Sequence, residues 1–147
     1  MIEALARPGA RKRDIARCEG FLCVGQIDFW TGRYAEALGH LEEGLAIARE
    51  LDDKPMVAAV LQPLGVAALG NGDPGSARAY LAEALDLARE LGDRREILAA
   101  QTALAMLHRA EGELDAAEPL YEGNLILARE LGDRVSIAIG LLNLAMV

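Results

Sequence analysis

Few side chains in this sequence could do chemistry. Two histidines, His40 and His108, and two cysteines, Cys18 and Cys23, stand among carboxylates scattered along the chain. Catalysis needs a nucleophile, base or metal set that converges, and nothing in the spacing of these residues brings them together. No H-E-x-x-H, phosphate-binding loop or Gly-rich dinucleotide fingerprint occurs. On a helix, five residues turn Cys18 and Cys23 about 140° apart, which does not suit chelation of one metal. Both read as small packing residues. His108 reads as a packing or rim residue, and Glu42-Glu43 as solvated helix surface. The expectation is therefore no enzyme, no catalytic residue, no metal and no cofactor.

Composition indicates what must position the remaining side chains. Ala, Leu, Arg and Glu dominate, aromatics are only 4%, and no long Val, Ile or Thr alternation of the kind strands need appears. An all-helical chain follows. The formal charge of −8 would repel nucleic acid over most of the surface. Arg7, Arg11, Lys12, Arg13 and Arg17 concentrate positive charge in the first twenty residues, and read as a solvated lead-in. No basic-then-apolar leader and no apolar run of about 18 residues is present, which predicts no membrane partner and a cytoplasmic location. Arginine outnumbers lysine thirteen to two, a bias associated with GC-rich bacterial genomes.

Internal repetition organises the chain. Ala48-Arg49-Glu50-Leu51-Asp52-Asp53-Lys54 recurs at residues 88–94 and 128–134, a period of forty. In the same register Gly32, Gly72 and Gly112 align, as do Ala37, Ala77 and Ala117, then Leu41, Leu81 and Tyr121. Each unit reads as two helices. Leu-Gly-Asp at 91–93 and 131–133 supplies a glycine to end one helix and an aspartate to cap the next. Glu96, three residues after Asp93, suggests a capping box. The other joint falls at Gly32, at Asn71-Gly72-Asp73-Pro74 and at Gly112. Helices of roughly 17 residues thus alternate with tight turns. Leu81, Ala84, Leu85 and Ala88 give a second helix its buried stripe. Gly25, Gly65 and Ala105 midway along the first helices, and Ala37, Ala77 and Ala117 opening the second ones, mark close approaches of helix axes. Pro63 and Pro119 should bend the helices that contain them.

This pattern resembles the tetratricopeptide repeat, W-x2-L-G-x2-Y followed by A-x3-F. It reads Phe21-x2-Val24-Gly25-x2-Asp28 with Ala37-x3-Leu41, then Leu61-x2-Leu64-Gly65-x2-Ala68 with Ala77-x3-Leu81, then Gln101-x2-Leu104-Ala105-x2-His108 with Ala117-x3-Tyr121. Leu141-x2-Leu144-Ala145 opens a fourth unit. The period of forty exceeds the usual 34 or so, and continued helix replaces the usual closing proline. In both respects the chain looks like the longer-helix repeats of kinesin light chains and of bacterial regulators that carry a C-terminal repeat array. The resemblance implies a right-handed superhelix of antiparallel hairpins, about seven helices. Its bounds would be a lead-in at 1–13, read as the remnant of a preceding helix, and an array at 14–147 with repeats at 14–53, 54–93, 94–133 and a partial fourth at 134–147.

By that resemblance the first helix of each hairpin lines a concave, peptide-binding surface. The residues so placed are Glu19, Leu22, Gln26, Phe29 and Trp30, then Ala59, Gln62, Val66 and Leu69, then Ala99, Thr102, Met106 and Arg109, and finally Ile139, Leu142 and Met146. Phe29 and Trp30 would anchor a partner and Arg109 would read its charge, although the two aromatics could equally pack against the turn at Gly32 or an upstream repeat. The Lys and Asn set with which some relatives clamp a peptide's C-terminal carboxylate is not found at these places. The resulting expectation is a protein- or peptide-binding scaffold of a bacterial regulatory or signalling protein of the transcriptional-regulator type. Its alternative is self-association into a homodimer through Leu141, Leu142 and Met146 on an uncovered last helix.

Overall fold

The computed structural model describes residues 8–147, and among these it contains helices and turns and no strand. Seven helices follow one another: α1 (Pro8–Trp30), α2 (Tyr34–Glu50), α3 (Lys54–Gly70), α4 (Pro74–Leu91), α5 (Arg94–Ala110), α6 (Leu114–Leu131) and α7 (Arg134–Ala145). They form three antiparallel hairpins and the first helix of a fourth. The helix begins at Pro8, so residues 8–13 continue α1. Arg7 and the stretch from Ile2 to Ala6 lie outside the described residues. Pro8 and Gly9 sit in the first turn of α1, where a proline's missing N–H costs nothing.

The joints follow from side chains that satisfy the free N–H groups of a helix start. The Asp53, Asp73 and Asp133 carboxylates accept from the N–H of Met56, Ser76 and Ser136, and Asp93 accepts from both Arg95 and Glu96. The capping box expected at Asp93 is only half made. The Asp93 N–H already donates to the Ala88 carbonyl at 3.0 Å, which leaves Glu96 no cap N–H to accept from. Gly92 and Gly132 end α4 and α6 in the left-handed conformation at φ 67°. In the first repeat Asp52 takes that place at φ 50°, a conformation that strains any residue with a Cβ. Pro63 and Pro119 sit inside α3 and α6, each of which continues through its proline.

Close approach holds each hairpin shut. A Cβ added to Gly25 would lie 2.5 Å from Leu41 Cγ, and one added to Gly65 would lie 2.5 Å from Leu81 Cγ. The leucine of the second helix therefore occupies the space a side chain would need on the first. Leu41, Leu61, Leu64 and Leu81 are fully buried around these contacts. Each helix packs on the next in sequence, and α3 also packs on α5. No Cα of α5, however, comes within 8 Å of one in α7.

Three predictions test this account in urea unfolding. Gly65→Ala gains helix propensity but must displace Leu81, and should lose a net ~1–2 kcal/mol. Gly123→Ala, where nothing lies within 4 Å of the added Cβ, should instead gain up to about 1 kcal/mol. Asp52→Gly, by removing the left-handed strain, should gain about 1 kcal/mol.

Candidate functional site

A cavity of about 560 Å³ opens on the side of the array formed by the first helices. Gln26, Phe29 and Trp30 of α1, Gln62, Pro63 and Val66 of α3, and Ala99, Thr102 and Met106 of α5 line it, with Ile139 and Gly140 of α7 closing the far wall. The wall is apolar apart from uncharged amides and hydroxyls. Arg95 and the cap Asp133 are the charged groups that border it. The separation of α5 from α7 explains where the cavity lies. Between them the floor is the second helix α6, which contributes Tyr121 and Asn124, and the opposing wall adds Asn143 from α7.

Of the residues the sequence places on the concave face, Gln26, Phe29, Trp30, Gln62, Val66, Ala99, Thr102, Met106 and Ile139 therefore share one cavity. Others go elsewhere. Leu22 and Leu69 turn into the core, the latter against Ala68 and Leu107. Glu19 is exposed off the cavity. Arg109 lies on the cavity-facing stripe of α5 but in its last turn, where its guanidinium points at Met146 Sδ, 3.8 Å away. Arg95, one end of the helix away, is the arginine that borders the cavity. Leu141 and Leu142 on α7, and Met146 just past its end, are about half exposed. The register partner of Leu141, Leu61, is fully buried under α4, whereas no helix of the described residues lies over Leu141.

Trp30 is 82% exposed, with its ring edge-on to Phe29 at 5.3 Å between centroids. Phe29 in turn leans on Tyr34, whose own ring covers Gly70. The pair is thus divided: Phe29 is anchored in the array and Trp30 stands free at the cavity's edge.

The sequence reading missed Tyr121, Asn124 and Asn143. They are 1%, 4% and 6% exposed; Asn124 Oδ1 and Asn143 Nδ2 have no hydrogen-bond partner among the described residues, and the Tyr121 hydroxyl has the Arg109 guanidinium beside it. Each such group costs on the order of 1–3 kcal/mol when buried unpaired. Burial pushes the Tyr121 phenol above its ordinary value, opposed by the nearby Arg109 guanidinium. Family patterns assign second-helix positions to the core, so only the departure of Asn124 from its small register-mates Gly44 and Ala84 could have marked it.

Elsewhere the reactive residues are engaged structurally. Asp28, 4% exposed, holds Arg33 at 2.6 Å and His40 at 2.7 Å. The register-mate of Asp28, His108, pairs with Glu113 at 2.5 Å, and Arg78 bridges Glu113 and Glu111. His108, Glu111 and Glu113 thereby cluster with ligand-type atoms within 4.8 Å of one another. Arg78 pairs with both carboxylates, so the cluster is held as an ion-pair network. Cys18 is buried and its thiol donates to the Gly44 carbonyl at 3.2 Å, while Cys23, expected to pack, is exposed. No described helix is long and apolar enough to cross a membrane.

Seven helices in stacked hairpins with a groove on the first-helix side define a helical-repeat solenoid. A tetratricopeptide repeat model matches residues 17–90, just over half of the chain, and a second matches residues 100–135. The chain belongs to the tetratricopeptide repeat family, whose members are generally non-catalytic scaffolds that bind proteins or peptides. Among solved structures it resembles aspartyl phosphate phosphatase F from Bacillus subtilis, with a TM-score of 0.77 at 14% identity over 88% of this chain and 34% of that one. It also resembles the TPR domain of Arabidopsis FLU, with a TM-score of 0.71 at 20% identity over 83% of this chain and 98% of that one. These likenesses concern the fold, and the chain spans about a third of the first protein's length. No curated protein matches the sequence.

Asp133 links the site to pH. Hydrogen bonds from the Ser136 N–H and then from its hydroxyl hold this carboxyl below its ordinary value. A depressed folded value means that the cap contributes stability above the unfolded pKa of about 3.9 and loses it as pH falls through the folded one. The Ser136 amide resonance should therefore titrate with a midpoint below that of an ordinary aspartate, and Asp133→Asn should keep the cap while abolishing this titration.

Proposed function

We propose that this chain is a protein- or peptide-binding scaffold that engages its partner in the groove between α1, α3, α5 and α7, and that it performs no catalysis. The observation that carries the reading is the lining: a continuous half-buried wall through Gln62, Val66, Thr102 and Met106, apolar but punctuated by uncharged hydrogen-bonding groups. A volume of about 560 Å³ lies within the range of pockets that bury a ligand's surface. Trp30, exposed beside Phe29, is suited to act as an aromatic anchor at the groove's mouth. Solenoids generally use such concave surfaces for extended partners. Membership of a bacterial cytoplasmic regulatory protein accords with the Arg- and Ala-rich composition and with the fold likeness to the Bacillus protein.

A second reading, self-association, draws on the half-exposed Leu141, Leu142 and Met146 along one helix. An apolar stripe of this kind suits a two-fold contact.

The test uses the chain's single tryptophan. Short peptides selected from a phage-displayed library should shift the emission of Trp30 on binding. Val66→Glu and Met106→Glu should each weaken that binding at least about tenfold, or 1.4 kcal/mol, with little change in melting temperature. Selected peptides whose affinity ignores both substitutions would sink the groove reading. Light scattering decides the second reading: a dimer that Leu142→Glu with Met146→Glu converts to monomer supports it, and a monomer at every concentration removes it.

A further inference from the structure

The array departs from its own register where it starts. At residues 51–53, 91–93 and 131–133 the joint before a first helix reads Leu-Asp-Asp or Leu-Gly-Asp, a left-handed residue followed by the capping aspartate. At residues 11–13 the sequence is Arg-Lys-Arg, and α1 runs unbroken from Pro8 through that place. Residues 8–13 carry α1 roughly 9 Å past the level at which the other first helices begin. A preceding second helix therefore has no tight turn of the array's kind by which to fold back onto α1.

The effect shows along one face of the helix. Arg13, Arg17, Gly20, Val24 and Ile27 fall within about 80° of one another around α1. All five are exposed, Val24 by 43% and Ile27 by 58%. In α3 the register-mates of the last four, Val57, Val60, Leu64 and Ala67, are buried. α1 packs on α2 and α3 as α3 packs on α4 and α5, so the neighbour that α3 has and α1 lacks is the hairpin before it. Elsewhere, then, the array covers this face with a preceding second helix. The face lies on the edge of the stack, turned away from the cavity that Gln26, Phe29 and Trp30 line.

Charge identifies what fits there. Residues 11–17 hold Arg11, Lys12, Arg13 and Arg17 against Asp14 alone, in a chain of formal charge −8. Arg11 shows what such a side chain does beside a helix end: its guanidinium donates to the carbonyl of Leu51, the C-cap of α2, at 3.2 Å and lies 4.0 Å from the Asp53 carboxylate. Arg13 is turned about 160° from Arg11, onto the uncovered face. Arg17 pairs with Asp14 at 3.6 Å and is 63% exposed, a pair of little worth. We propose that this face of α1 docks an acidic amphipathic helix of a partner protein, antiparallel to α1 as a preceding second helix would be. Its apolar stripe would lie on Gly20, Val24 and Ile27, and carboxylates in its last turn would meet Arg13 and Arg17, where the helix dipole also favours cations. The array's own second helices have this make-up: α2 joins Leu45 and Ala48 to Val57 and Val60 in one core and ends in Glu50, followed by Asp52 and Asp53. A second copy fits less well, because its uncovered α7 carries Arg134 and no carboxylate. An anionic membrane would meet the acidic remainder of the chain.

The experiment titrates the isotope-labelled 147-residue chain with a helix-stapled peptide of residues 34–53, the array's own cover for α3, and follows the backbone amides of Gly20, Val24 and Ile27 by NMR. Saturable shifts are expected at all three. The same peptide with Glu50→Gln, Asp52→Asn and Asp53→Asn should bind at least tenfold more weakly. Arg13→Glu with Arg17→Glu in the chain should weaken the acidic peptide by a similar factor. Gly20→Glu, where nothing lies within 4 Å of an added Cβ, should keep or raise the melting temperature and remove the shifts. Equal binding of the two peptides, shifts confined to α7, or binding indifferent to the α1 variants would overturn the proposal. So would a dimer, seen by light scattering, that Gly20→Glu dissolves, which would make the occupant a second copy. Sedimentation of the chain with phosphatidylglycerol vesicles, lost in the Arg13→Glu, Arg17→Glu variant and without peptide shifts, would assign the face to a membrane instead. Groove-selected peptides should bind every α1 variant unchanged, so failure here leaves the proposed function standing.

Discussion

A leucine seated where a glycine has no side chain sets the geometry of this array. The Leu41 and Leu81 side chains occupy the space that a Cβ on Gly25 or Gly65 would fill, so the two helices of each hairpin meet backbone against side chain. Once that distance is set, Ala37 and Ala77 at the start of the second helices fall fully inside, and the stripe through Leu45 and Ala48 is carried to the next hairpin. A single hairpin leaves its outer stripe uncovered, and only stacking removes it from water. Burial of that apolar surface, at roughly 25 cal/mol per Å², supplies the driving force that the turns merely direct.

Electrostatics contributes registration more than stability. Lys54 reaches Glu90 and, one period later, Arg94 reaches Glu130, so the same cross-hairpin pair recurs with the repeat. These groups are about half exposed, and such pairs are generally worth only about 0–1 kcal/mol. In the first repeat the corresponding residues are Asp14 and Glu50, two acids, and Asp14 turns instead to Arg17 at 3.6 Å. The hairpin stacks nevertheless, as expected if packing rather than charge decides. Buried charge is a different matter: Asp28 keeps Arg33 and His40 as partners because a carboxylate so little exposed would be costly alone.

The elements were legible in the sequence because every signal repeated. A glycine or aspartate at one joint is weak, but the same residues at intervals of forty fix the joints, and the small residues at 25, 65 and 105 fix which faces meet. The first-helix lining was readable to the extent that helical phase alone decides position, as for Gln62, Val66, Thr102 and Met106. It failed at helix ends, where neighbours decide: Leu69 falls against Leu107 and Arg109 against Met146. It also failed where the repeat departs from itself. Asn124 and Asn143 belong to positions that pattern assigns to packing, and their place on the cavity depends on the parting of α5 from α7, a tertiary feature without a sequence signal of its own.

That parting coincides with a change in the hairpin contact. At the third repeat the glycine becomes Ala105 and the leucine becomes Tyr121, a larger pair in the same register. Tyr121 packs with Ala105, Leu120, Leu144 and Val147, so its ring does for the last two helices what leucine does earlier, but it carries a hydroxyl to the end of the ring. One substitution thus changes both the packing between α5, α6 and α7 and the polarity of the floor between them. Asn124, one turn further along α6, extends the same polar strip. A uniform array of Gly–Leu contacts would stack as well and would present an apolar floor. These polar groups are confined to the hairpin that borders the opening, and the earlier hairpins keep the apolar Gly–Leu contact.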